Sequence, residues 1–131
     1  MKFISAYATA DHLWLHPVEL EQVSSALCTD QDALEICGVL FTVSMSPGVL
    51  DHIGDVEHIE YCAEGALASE EPFAIIESTK AATELCFEFP VNVLGRFPLE
   101  LDRITEKDPL ILISVDPSNL DFFQSKVSPI S

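Results

Sequence analysis

Leu110-Ile111-Leu112-Ile113-Ser114-Val115 is the stretch that most limits what this chain can fold into. Five of its six residues are large and apolar, with no alternation of polar positions to face water. An apolar run this short is a strand, and one without alternation is covered on both faces. It therefore belongs near the middle of a sheet. Asp108-Pro109 supplies the turn that leads into it.

The rest of the pattern supplies its neighbours. Lys2 to Ala8 alternates as a short first strand, and Cys37 to Met45 reads as another through its Val-Leu-Phe-Thr-Val core. His16-Pro17 predicts the start of an amphipathic helix over Pro17–Leu27, with Leu20, Val23 and Leu27 as its buried stripe. Ser46-Pro47-Gly48 breaks the strand that ends at Met45. Beyond it, Gly54 divides a short helix from a strand over Val56–Cys62. Phe73–Glu77 reads as a strand; Leu85, Phe87 and Phe89 alternate against Glu84, Cys86 and Glu88, and Phe97, Leu99 and Leu101 repeat that pattern. Ser118, three residues before Asp121, resembles a capping box for a last short helix through Phe123. The expected architecture is α+β: a single, mostly antiparallel sheet with two or three short helices packed on it, the whole of 1–131 forming one acidic domain.

Charge is divided unevenly along this frame. Between Phe3 and Thr79 there are fourteen acids and no Lys or Arg, whereas Lys80 to Ser131 has eight acids and five bases. The net charge is −16, on a chain whose hydrophobic content of 48% is ample for a real core. The acidity therefore belongs to a folded surface and not to a disordered tail. Like charges on a compact body oppose folding, so a surface of this kind suggests a basic partner. Direct binding of nucleic acid is not expected, since phosphate contacts need Lys or Arg, and an anionic membrane surface is excluded by the same reasoning. No run is long enough for a membrane span. Cys28, Cys37, Cys62 and Cys86 form no CxxC pair and sit among apolar residues, which points to free thiols and a cytoplasmic location.

Catalytic signatures are few. The glycines form neither a dinucleotide fingerprint nor a phosphate loop nor a nucleophile elbow. His52, Asp55 and His58, with His12 and His16, have the donor types for zinc, and a small hydrolase built on them is one alternative. Surface histidines beside carboxylates account for the same residues more simply. Glu84 with Glu88, and Glu100 with Asp102, could serve as acid–base pairs, yet acids on an outer strand face also protect an edge from aggregation. The expectation is a protein that is not an enzyme and needs no cofactor and no metal.

What remains is the acidity. Carboxylates three or four residues apart on a helix stand about 5–6 Å from one another, close to the spacing of successive phosphates. Asp11, Glu19, Glu21, Asp51, Asp55, Glu57 and Glu60 are the residues expected to meet a partner. In size and charge the chain is similar to immunity proteins that neutralise basic nuclease toxins, and to phage inhibitors of bacterial defence nucleases, of which anti-CRISPR proteins are an example. The implied function is an acidic inhibitor that occupies the basic groove of a nuclease or other nucleic-acid-binding complex, acting as a nucleic-acid mimic, in the host cytoplasm if virus-encoded. A non-catalytic interaction or virion-assembly component is the other alternative.

Overall fold

The buried run lies inside a sheet, next to its central strand. A computed structural model describes residues 6–9, 13–19 and 38–130, and in it Ile111–Val115 is a strand with all five residues buried. The other described strands are β1 (Tyr7–Thr9), β2 (Leu13–Pro17), β3 (Val39–Met45), β4 (Val56–Tyr61), β5 (Gly65–Leu67), β6 (Pro72–Ser78), β7 (Ala82–Cys86), β8 (Val91–Arg96) and, after β9 (Ile111–Val115), β10 (Val127–Pro129). Among the described residues two short helices, α1 (Pro47–Ile53) and α2 (Leu120–Lys126), join these strands in an α+β architecture. Every pairing is antiparallel. The strands divide into two sheets: a seven-stranded one in the order β10-β1-β2-β3-β9-β8-β5 and a three-stranded one in the order β4-β6-β7.

Alternation explains how the two sheets share one core. Leu13 and Leu15 of β2, Phe41, Val43 and Met45 of β3, and Ile111, Ile113 and Val115 of β9 join Phe73, Ala74 and Ile76 of β6 in one buried cluster. A chain of aromatic rings links the sheets. Phe73 stacks on Phe87 at 4.9 Å, Phe87 meets Phe89 at 5.3 Å, Phe89 meets Phe123 edge-on at 4.9 Å, and Phe123 meets Phe41 at 5.1 Å. Such pairs each add about 0.5–1.5 kcal/mol beyond area burial. They anchor β6, the middle strand of the small sheet, to β3 at the heart of the large one.

Several sequence expectations hold. Cys37 to Met45 contains the strand Val39–Met45, and Gly54 separates α1 from β4 as its position suggested. Others are corrected. Pro17 opens no helix; it closes β2 opposite Phe41. The described pairing of β1 with β2 is at Tyr7 with Leu15 and Ala8 with Trp14. The rest of the Pro17–Leu27 helix falls outside the described residues. The alternating Phe97, Leu99 and Leu101 do not form a strand, for β8 ends at Arg96 and Leu101–Arg103 is a single 3-10 turn. At the last helix the cap is Asp116, whose carboxylate accepts the Ser118 amide at 2.9 Å and its hydroxyl at 2.8 Å, and the Ser118–Asp121 box is not formed.

Candidate functional site

The tip of the β6–β7 hairpin is where the described fold gathers chemistry. Strand β6 runs to Ser78 and β7 begins at Ala82, leaving Thr79-Lys80-Ala81 as the turn. Neither Thr79 nor Lys80 has positive φ, so the turn is not the mirror-image type that tight hairpins favour. The Ser78 side chain closes it instead. Its hydroxyl donates to the Ala81 carbonyl at 2.9 Å and accepts the amides of Ala81 at 3.3 Å and Lys80 at 3.4 Å. The Ser78 amide also donates to the Ala81 carbonyl at 3.0 Å. Serine can do this because a short hydroxyl side chain can substitute for a backbone group in a turn.

A second contact holds the tip from below. The Thr79 amide donates to the Asp55 carbonyl at 3.0 Å, tying the turn to the loop that follows α1. Lys80 is exposed, and its ammonium reaches the Asp51 carbonyl, in the last turn of α1, at 3.4 Å. Carbonyls in that last turn have no partner within the helix and favour a cation. The lysine stem lies over Gly54. A Cβ there would stand 3.4 Å from Lys80 Cε, 3.6 Å from Cδ and 3.0 Å from Thr79 Oγ1, and the backbone has φ +75° and ψ −150°. That combination is open essentially to glycine alone.

Beside the tip lies a cavity of about 310 Å³, with Leu50, Leu101 and Ile104 as its apolar wall and Asp51, Asp55 and Asp102 as its acids. Glu77, at the end of β6, pairs with Ala82 at the base of the turn. One exposed base thus stands next to a recess lined by three aspartates and three apolar side chains.

The residues expected to meet a partner are dispersed relative to this site. Asp51 and Asp55 belong to it. Glu57 and Glu60 are exposed on β4, an edge strand of the small sheet, and Glu19 is exposed beyond β2; Asp11 and Glu21 lie outside the described residues. The single helical stripe of Asp51, Asp55 and His58 is not formed, because α1 stops at Ile53 and His58 lies on β4. Among the described residues no three His, Cys, Asp or Glu side chains converge as a metal would require, so His52, Asp55 and His58 make no zinc site; His12 lies outside them. Glu100 pairs with Arg103 at 3.8 Å on the exposed 3-10 turn instead of forming an acid–base couple with Asp102. Cys62 is an exposed free thiol and Cys86 is half-buried; Cys28 and Cys37 lie outside the described residues. No described helix is long and apolar enough to cross a membrane.

Lys80 itself escaped the sequence reading, although a signal for it existed. It is the residue that ends the base-free run from Phe3 to Thr79, and it falls between two apolar strand patterns, where a hairpin must turn.

No protein-family profile and no curated protein matches this sequence. Among solved structures, the chain is similar to the crystal structure of a glycine cleavage system H protein from Mycobacterium marinum, with a TM-score of 0.58 and 14% identity. The match covers 95% of this chain and 99% of that one, so the likeness is one of overall fold. This likeness overturns the expectation of a nuclease inhibitor that mimics nucleic acid. That expectation rested on charge alone, and charge does not specify a fold.

Proposed function

We propose that this chain is a lipoyl-type carrier: a protein that is not itself a catalyst and presents a prosthetic group, held as an amide on Lys80 Nζ, to separate enzymes. The observation that carries the reading is the placement of Lys80 at the tip of the β6–β7 hairpin, on a fold shared with a glycine cleavage system H protein. An acyl carrier needs a primary amine that projects from a rigid support and can be reached from several directions. The Ser78 turn and the Asp55 tether supply the support, and the exposed four-carbon stem supplies the reach. The neighbouring recess, lined by Leu50, Leu101 and Ile104 together with Asp51, Asp55 and Asp102, leaves open space beside the tip for an attached group.

The other described lysines are placed less well. Lys107 lies in the Glu106-Lys107 turn before β9, and Lys126 sits over the Phe122 ring at 5.5 Å. The lipoyl group supplies a redox-active dithiolane when bound; the chain's own residues hold the lysine and flank it with acids. Partners that act on it would present basic surfaces to Asp51, Asp55, Glu77 and Asp102, which speeds encounter. The cytoplasm, where thiols such as Cys62 and Cys86 stay reduced, is the compartment we assign.

Attachment joins the lipoate carboxyl carbon to Nζ from an acyl adenylate, with AMP leaving and the amine losing a proton. The test is intact-mass analysis after incubation with lipoate, ATP and a lipoate–protein ligase. One lipoyl group per chain is expected, retained in Lys107→Arg and Lys126→Arg and absent from Lys80→Arg. A wild-type chain that takes no lipoyl group, or a Lys80→Arg variant that still does, overturns the assignment.

A further inference from the structure

Helix α1 is finished by a side chain that belongs to another element. Its cap residue, Gly54, donates its amide to the Leu50 carbonyl at 3.1 Å, which satisfies one of the carbonyls left over at the helix end. The next carbonyl, that of Asp51, would accept the Asp55 amide if the helix continued. Gly54 turns the chain away with φ +75° and ψ −150°. The donor that reaches the Asp51 carbonyl is instead Lys80 Nζ, at 3.4 Å and from 29 residues along the chain.

The lysine is placed for this contact from both ends. Its own amide donates to the Ser78 hydroxyl at 3.4 Å, and the preceding amide, Thr79, donates to the Asp55 carbonyl at 3.0 Å. Those bonds fix the backbone from which the side chain starts. Along its length, the missing Cβ of Gly54 leaves room for Cε and Cδ, which would stand 3.4 and 3.6 Å from such an atom. The stem therefore lies over the end of α1 while the residue stays exposed to solvent.

We propose that Lys80 is a latch that reads its own modification: its ammonium holds the end of α1, and acylation of Nζ releases that hold. Acylation forms a bond from the acyl carbon of an activated acyl donor to Nζ, and the donor's leaving group departs. Nζ goes from three N–H groups and a positive charge to one N–H and no charge, its protons passing to solvent. The cation that the last-turn carbonyls favour is thereby lost. Acylated and free chains then differ at Gly54 and Asp55 as well as at Nζ. An enzyme that acts on one form alone can distinguish them on the surface of α1. That use rests on the carrier reading; the latch does not, since any acyl group removes the same charge.

Amide hydrogen exchange, followed by NMR, tests the latch. Gly54 is the reporter, and the buried Ile113 of β9 is the reference for opening of the whole fold. Lys80→Met keeps an apolar stem without the charge, Lys80→Arg keeps the charge, and Nε-acetyl-lysine placed at Lys80 supplies the acylated form. Exchange at Gly54 should quicken about two- to fivefold in Lys80→Met and in the acetylated chain, as expected for losing one exposed cation at a helix C-terminus. In Lys80→Arg it should stay within about 1.5-fold of wild type, and Ile113 should be unaffected throughout. In about 0.5 M NaCl the difference between wild type and Lys80→Met should shrink, because screening removes the cation's contribution. Unchanged exchange at Gly54 in Lys80→Met, or equal quickening in Lys80→Arg, would overturn the proposal. So would an acetylated chain that behaves as wild type, or a change matched at Ile113. Lipoylation is read separately by mass, so a chain that keeps the latch but takes no lipoyl group overturns the carrier reading alone.

Discussion

Gly54 gives the sharpest test of how the hairpin tip is held. Its φ of +75° with ψ −150° lies in a region that residues with a Cβ occupy at a cost of about 1–3 kcal/mol. The steric term is smaller. The nearest atom to a new Cβ is Thr79 Oγ1 at 3.0 Å, followed by the flexible Lys80 stem at 3.4 Å, and both can move. The backbone term therefore dominates, and Gly54→Ala should destabilise by about 2 kcal/mol, a fall in Tm of roughly 6–10 °C for a chain of this size. Gly48 is the matched control. It sits in the first turn of α1, with Ser46 Oγ 3.9 Å from a would-be Cβ and no positive φ, so Gly48→Ala should be neutral or stabilise by about 0.5–1 kcal/mol. Urea unfolding of both variants measures the difference as a shift in midpoint at constant slope. If Gly54→Ala falls within about 0.5 kcal/mol of wild type, or the two substitutions behave alike, the account of the Gly54 backbone is wrong.

Ile113, fully buried on β9 between β3 and β8, should lose about 2–5 kcal/mol on replacement by alanine, read from the same urea midpoint; a loss below about 1 kcal/mol would remove β9 from the core. Burial lowers the His16 pKa below the unfolded value near 6.5, so this group costs nothing at pH above about 6.5 and subtracts stability as pH falls from there toward its folded pKa. His16→Gln should flatten that part of the stability–pH curve, and an unchanged curve would show that His16 is not desolvated. Cys62 is exposed and Cys86 half-buried, so a thiol reagent should modify Cys62 faster in the folded protein, as peptide mapping can determine.

Legibility in the sequence followed the strength of the local pattern. The Leu110–Val115 run and the Gly54 break were readable because one physical requirement dominates each: burial on both faces in the first case, a glycine-only backbone in the second. The segment from Val91 to Leu101 misled because both of its halves alternate. The true strand is the one containing Asn92 and Gly95, weak strand formers that tertiary pairing with β9 carries, with a register shift between Val93 and Gly95. Pro17 misled for a similar reason. Proline at a helix start and proline at a strand end satisfy the same absence of an N–H donor, and the long-range pairing of Pro17 with Phe41 decides between them. The site was not legible because fourteen acids dominate the charge pattern up to Thr79, and a single lysine at the end of that run carries little signal by itself. The division into two sheets was not readable at all, since strand order depends on contacts between segments far apart in sequence.

The charge does make one prediction that separates the fold from its use. With a net charge of −16, the carboxylates repel one another in the folded state more than in the expanded one. Local pairing relieves little of this: Arg103 and Glu100 meet at 3.8 Å with side chains about three-quarters exposed, a contact that contributes about 0–1 kcal/mol. Raising NaCl from about 0.02 M to about 0.5 M shortens the screening length from roughly 20 Å to roughly 4 Å, which removes most repulsion between surface carboxylates. Tm should therefore rise with salt over that range. If Lys80 is the acylated lysine proposed above, the rate of its acylation should move the opposite way, because the same screening weakens attraction between Asp51, Asp55, Glu77 and Asp102 and a basic modifying enzyme. The two trends are measured on one sample series, by thermal unfolding and by intact mass over time. A Tm that falls with salt would mean attractive pairs outweigh the repulsion. A salt-independent acylation rate, with Tm rising as expected, would mean that the acids around Lys80 only coat the surface and do not guide a partner to it.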